Sequence, residues 1–246
     1  MNRASRLHTP AARDRLCLAL DLDSGDEAVK LAERVSPYVG LFKVGFQLFV
    51  SEGPSVLRRL GEAGGKVFLD LKFHDIPNTV GSAVRSATRL GASIINVHAY
   101  GGSRMIEAAV RAARQAEQSE GHRVLVLAVT VLTSLDEADL RRELRVEVPL
   151  GQYVVGLAQL AQSSGADGVI ASPREVRAIR DACGGDFVIG TPGIRMPEAP
   201  PDDQRRTMTP AEAVAAGADF IDVGRPIVQA ADPAAAARAM LEYVGG

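Results

Sequence analysis

Lys66-Val67-Phe68-Leu69-Asp70-Leu71-Lys72-Phe73-His74-Asp75-Ile76-Pro77-Asn78-Thr79 is the stretch on which the reading of this chain turns. It opens on an apolar run, Val67-Phe68-Leu69, as a buried strand does on approaching its carboxyl end. On a strand, residues two apart share a face, so Asp70 and Lys72 are expected to point the same way. Asp75 follows at the turn. Pro77 is placed to begin a helix, where its missing amide costs nothing. Two carboxylates and an ammonium therefore crowd one strand end, and burying charge is expensive unless it is paired. A plain structural account exists: Asp75 caps the helix, and Asp70 with Lys72 forms an ion pair. The remainder of the chain weighs against it.

Outward from this stretch, short apolar and β-branched runs recur at residues 16–22, 41–44, 66–71, 93–97, 124–129, 168–171, 187–189 and 220–223. Between them, apolar residues fall three and four apart: Val80, Val84, Ala87 and Leu90; Ile106, Ala109, Val110 and Ala113; Val154, Leu157, Leu160 and Ala161. That spacing gives amphipathic helices with one face on a sheet. Gly91, Gly165 and Gly217 stand just past such helices, where a left-handed residue is expected. Eight strand–helix units in about 230 residues fit one α/β domain, a single (β/α)8 TIM barrel over residues 15–246. An open doubly wound sheet is the alternative, but no G-x-G-x-x-G opens a helix after the first strand. Residues 1–14 are Arg-rich, lack the apolar core of a secretory signal and read as a loose lead-in. Two connections are long. Residues 132–149 are charged with a short helical piece, and residues 191–210 hold five prolines around a charged centre at 202–206, as a lid would.

Composition narrows the function. The 28 Lys+Arg nearly balance 30 Asp+Glu, giving a net charge of −2, no footprint for nucleic acid or an anionic membrane. No apolar run reaches the length of a membrane span. Cys17 and Cys183 lack metal-ligand spacing, and a reducing, cytoplasmic setting is expected.

A barrel assembles its active site at the carboxyl ends of its strands. Those ends supply Asp21, Lys43, Asp70 with Lys72 and Asp75, His98, Thr130 with Thr133, Arg195, and Gly224 with Arg225. Two lysines among three aspartates approach balance, so each can stay ionised inside a cavity. Val223-Gly224-Arg225-Pro226-Ile227 reads as a phosphate site after the eighth strand: glycine admits the ligand and arginine offers a planar charged fork. His98 is expected to be a hydrogen-bonded core histidine; His74, between the acidic residues Asp70 and Asp75, suggests a metal site, but none is expected.

With these motifs the chain resembles the bacterial orotidine 5'-phosphate decarboxylase family. The resemblance runs from Leu16 to about Val244. It rests on Leu20-Asp21, Phe42-Lys43-Val44-Gly45, the Asp70 to Thr79 block, Asn96-Val97-His98-Ala99 and Val131-Leu132-Thr133-Ser134. It continues in Thr191-Pro192-Gly193-Ile194-Arg195, Asp203-Gln204-Arg205-Arg206 and Val223-Gly224-Arg225-Pro226-Ile227. The resemblance implies decarboxylation of orotidylate to uridylate, the last step of de novo pyrimidine nucleotide synthesis, with no cofactor and no metal. Lys72 would donate the proton and Asp70 would lie against the departing carboxylate. Lys43 would bridge Asp70 and the ribose, which Asp21 would also bind. In an implied homodimer, Asp75 and Thr79 would complete the partner's site. Thr133 would bond the pyrimidine, Gln204 would close a lid, and Arg195, Gly224 and Arg225 would hold the phosphate. A shorter D-x-K-x-x-D is shared with barrel decarboxylases that act on sugar-acid phosphates through a metal, the first rival. A silent barrel that only binds a nucleotide is the second.

Overall fold

Strands covered on both faces read as continuous apolar runs, and the eight runs become eight strands. In the computed structural model, which describes residues 12–195 and 207–245, these are β1 (Leu16–Ala19), β2 (Leu41–Val44), β3 (Lys66–Phe73) and β4 (Ile94–His98). They continue as β5 (Leu125–Val129), β6 (Gly168–Ile170), β7 (Val188–Thr191) and β8 (Phe220–Val223). Each pairs in parallel with its sequence neighbours, and β8 closes on β1. The sheet is a (β/α)8 barrel, and the open-sheet alternative is excluded.

Alternation along each strand divides its residues between two environments. Leu18, Phe42, Val67, Leu69, Ile95, Val126, Ile189 and Ile221 pack outward under the helices. Cys17, Leu41, Phe68, Ile94, Leu127, Val188 and Phe220 point inward and form a separate apolar cluster. Phe68 and Phe220 meet edge-on there, with ring centroids 6.3 Å apart. Gly190 makes room for them, since a Cβ at that position would lie 2.2 Å from the Phe220 ring. Two residues further along the same strands stand Lys43, Asp70, Asn96 and Asp222. The interior therefore changes from an apolar floor to a polar tier within one repeat of the strand.

The helices begin and end on local chemistry. Ser24 accepts from the Glu27 amide to cap Gly25–Val35, and Pro77 occupies the first turn of Pro77–Arg89. Helices Gly102–Glu120 and Leu150–Ser163 bury Ile106, Ala109 and Ala113, and Val154, Leu157 and Ala161, the apolar spacing read from the sequence. Gly91 and Gly217 adopt φ of +88° and +109°, as expected of helix-terminating residues. In the 132–149 connection, Asp136 and Asp139 exchange hydrogen bonds at the start of helix Glu137–Arg142. No described helix is long and apolar enough to cross a membrane.

Three boundaries differ from expectation. β1 stops at Ala19; the Leu20 amide still donates to the Lys43 carbonyl before the chain turns away. β3 runs on to Phe73 through a break in register. Of the expected lead-in, residues 1–11 lie outside the described residues, whereas Ala12–Arg15 form a 3-10 turn whose Arg13 carbonyl accepts from the Gly40 amide. The expected lid over 191–210 is anchored by an Ile194–Met208 bridge. Its charged centre at 202–206, Gln204 included, lies outside the described residues.

Candidate active site

Asp70 and Lys72 meet, though not by simple strand alternation. Pairing of β3 with β4 slips between Leu69 and Phe73, and Lys72 takes φ of +44°, a left-handed conformation costly for a residue with a side chain. Asn96 on β4 holds it there. Its Oδ1 accepts from the Lys72 amide at 2.8 Å, while its Nδ2 donates to Asp70 Oδ1 at 2.6 Å. The bulge turns the lysine back, and Lys72 Nζ donates to Asp70 Oδ1 at 2.7 Å. We expect Asn96→Ala to lower the stability by about 1–3 kcal/mol, because an amide and a buried carboxylate each lose a partner. Turnover should fall by roughly 100-fold as Lys72 relaxes from its position. Thermal unfolding and a rate measurement on the purified variant check both, and unaltered turnover would separate the bulge from the chemistry.

The polar tier is an alternating set of charges. Lys43 Nζ lies 3.3 Å from Asp70 Oδ2 and 2.7 Å from Asp222 Oδ2. Burial alone would drive the proton off Lys43, but Asp222 and Asp70, aided by Asp21, outweigh it and hold its pKa well above the usual lysine value. Burial opposes ionisation of Asp70 too. There the two lysines and the hydrogen bonds from Lys72 and Asn96 prevail, and its pKa is lowered. For Asp222, burial leads, and the charges of Asp70 and Asp21 reinforce it against Lys43, so its pKa is raised. The side chain of Lys72 keeps 26% of its exposure, against 13% for Lys43 and 9% for Asp70, so Lys72 is the ammonium that faces the mouth. Its Nζ lies 5.5 Å from the centre of the exposed Phe46 ring.

A cavity of about 180 Å³ opens over this tier, bordered by Lys43, Asp70, Lys72 and Asp222, with Thr133 and Pro192 at its rim. The expected Lys43, Asp70, Lys72 and Thr133 therefore share one pocket. Asp21 stands beside it at the end of β1, near Gly45 and Gly224: Cβ atoms added to those glycines would lie 3.5 and 3.6 Å from its carboxylate. Gly224 leads into the short helix Arg225–Val228, with Arg225 exposed at its start. Arg195 pairs its backbone with Met208 at the base of the 191–210 connection, and its guanidinium donates to the Ile194 carbonyl. Asp75 and Thr79 lie exposed and do not border the cavity. Asp75 does not cap the following helix. Its Oδ1 accepts from the adjacent Ile76 amide, and the N-cap position falls to Ile76 with no side-chain bond.

His98 corrects another expectation. It is half-buried in a row of rings with His74 and Tyr100, and its buried Nδ1 has no hydrogen-bond partner among the described residues. Burial, together with His74 and Lys72, lowers its pKa and favours the neutral ring. Among the described residues, no group of three or more His, Cys, Asp and Glu side chains is arranged to hold a metal ion. The sequence reading missed Asn96 and Asp222 as site residues. Both are polar residues within apolar strands, in step with an inward-facing apolar residue two positions earlier, and that was the available signal.

A parallel barrel with paired lysines and carboxylates at the carboxyl ends of its strands has the layout of a barrel enzyme. The comparisons specify it further. Residues 14–240 match the family described as Orotidine 5'-phosphate decarboxylase / HUMPS family. A protein of Moorella thermoacetica named orotidine 5'-phosphate decarboxylase is 50% identical over 236 residues, covering 96% of this chain and 92% of the relative. One of the same name from Syntrophotalea carbinolica is 51% identical over 232 residues, covering 94% and 95%. The crystal structure of the Lactobacillus acidophilus orotidine 5'-phosphate decarboxylase superposes with a TM-score of 0.84 at 41% identity, covering 95% of this chain and 100% of that one. The chain belongs to the orotidine 5'-phosphate decarboxylase / HUMPS family.

Proposed function

We propose that this protein decarboxylates orotidine 5'-monophosphate to uridine 5'-monophosphate without a cofactor, with Lys72 as the proton donor. The observation that carries the reading is the Lys72 ammonium held 2.7 Å from Asp70 at the mouth of a pocket built from both lysines. Loss of carbon dioxide from this substrate breaks a carbon–carbon bond whose electron pair stays in the plane of the ring, where π-conjugation cannot absorb it. A fixed positive charge aimed at that carbon, in a site shielded from water, stabilises the developing anion. Lys72 then transfers a proton to the same carbon, leaving a neutral amine beside Asp70. Asp70 lies where the substrate carboxylate would be crowded as it departs.

In this reading Lys43 and Asp21 bind the ribose, Thr133 the pyrimidine edge, and Gly224, Arg225 and Arg195 the phosphate. Gln204 closes over the bound nucleotide, and binding energy from the distant phosphate helps hold the carboxylate against Asp70. The protein works as a homodimer, with Asp75 and Thr79 lent to the partner's site. Support for this comes from the exposure of Asp75, Asn78 and Thr79 and of the apolar side chains of Ile76, Phe46 and Val50. The similarity to proteins named orotidine 5'-phosphate decarboxylase, at about half identity over nearly the whole chain, supports the substrate.

Purified protein mixed with orotidylate should convert the orotate absorbance to that of uracil, and should do so undiminished after exhaustive chelation. Activity that disappears with chelation and returns with a divalent metal would refute this reading in favour of metal-assisted chemistry on a sugar-acid phosphate.

A further inference from the structure

We infer that Asp222 is a positioning residue for the proposed decarboxylation: from β8 it pins the Lys43 ammonium, so that Asp70 Oδ1 is left to Lys72 and Asn96. The inference rests on the proposed reaction and extends it to a side chain with no role so far. Lys43 extends from β2 between two carboxylates, 2.7 Å from Asp222 Oδ2 and 3.3 Å from Asp70 Oδ2. It reaches Asp222 across β1, where the register sets Ala19 beside Lys43 and Cys17 beside Asp222. The methyl group of Ala19 leaves that path open.

An ion pair serving only the core would have both carboxylate oxygens satisfied, since buried acceptors in folded proteins nearly always have partners. Asp222 does not fit that pattern. Its Oδ1 is buried with no hydrogen-bond partner among the described residues, and the side chain borders the cavity. Asp70 already gives Lys43 a counter-charge, so Asp222 adds to the charge that keeps the ammonium ionised and does more besides. It fixes where the ammonium sits. Without Asp222, Lys43 would move fully onto Asp70 and compete with Lys72 for it, shifting the proton donor from its aim. The groups facing Lys43 are Asp222 from β8, Asp70 from β3 with Lys72 beyond it, Asp21 at the end of β1 and the Cys17 thiol beneath.

The test compares wild-type protein with Asp222→Asn, which keeps the size and removes the charge. Turnover of orotidylate is followed against pH, and thermal unfolding is recorded in parallel. We expect kcat to fall on the order of 10- to 100-fold in the variant, more than KM rises, because the reacting groups are misplaced rather than the substrate lost. The alkaline limb of the pH profile should also move to lower pH. Asp222 is one of the charges that hold the Lys43 proton, and removing it lets that proton leave sooner. A purely structural role would lower the unfolding temperature and leave the limb in place. Asp222→Glu, which retains the charge but displaces it, should keep the limb and lose part of kcat, and it serves if the asparagine variant does not fold. Wild-type protein that turns over no orotidylate would overturn both the proposed reaction and this inference. Wild-type turnover with an unshifted limb and unchanged kcat in Asp222→Asn would overturn this inference alone.

Discussion

Replacing Lys72 with alanine is expected to reduce turnover of orotidylate on the order of 10⁴-fold or more while the fold survives. Two contributions vanish together, because one ammonium both faces the developing anion and supplies the proton. Removing a positioned acid typically costs about 10²–10⁴-fold. Removing a group that stabilises transition-state charge costs roughly 10²–10³-fold. The fold should tolerate the change, since Asp70 keeps Lys43 at 3.3 Å and the Asn96 amide at 2.6 Å as partners. The backbone bulge remains tied by Asn96 as well, through the amide of residue 72. Absorbance kinetics and a melting curve on the same preparation check both halves. Near-normal rates in this variant would remove Lys72 from the chemistry altogether.

The second large effect concerns two chains rather than one. Lys72→Ala and Asp75→Ala should each be nearly inactive alone, yet a mixture should regain activity if the sites are shared. In a hybrid dimer, one site combines the intact Lys72 of one chain with the intact Asp75 of the other, while the second site lacks both. Random pairing makes half of the dimers hybrid, so recovery should approach about one quarter of wild-type activity. Mass spectrometry of the mixture establishes that subunits have exchanged. Exchange without recovery would place Asp75 within its own subunit's site or outside catalysis. The exposed position of Asp75, which accepts from the amide of Ile76, agrees with a group awaiting a neighbour.

Much of this architecture was legible because barrel strands are buried on both faces. Uninterrupted runs such as Val67-Phe68-Leu69 cannot serve as half-exposed strands, and glycines such as Gly91 and Gly217 mark where their helices stop. The lysine and aspartate cluster was legible because charges at strand ends need partners. The bulge at Lys72 was not. Its φ of +44° depends on a hydrogen bond that the Lys72 amide donates to Asn96 on another strand, which no local pattern encodes. Asp222 escaped for a related reason. The motif beginning at Val223 drew the reading to the phosphate end, and the inward direction of Asp222 followed only once Phe220 was seen on the barrel floor. The plain alternative, in which Asp75 caps the helix, is not what forms, because proline in the first helical turn leaves one fewer amide for a side chain to satisfy.

The apolar floor has a kinetic consequence. Cys17, Leu41, Phe68, Ile94, Leu127, Val188 and Phe220 close the barrel beneath the charged tier, so the pocket stands on an apolar floor. Whatever enters cannot leave through that floor, and two products of very different size then share the upper end of the barrel. In the reaction proposed here, carbon dioxide is formed beneath a nucleotide that blocks its way out. In that reaction, gas escape and nucleotide departure become successive uses of the same end of the barrel.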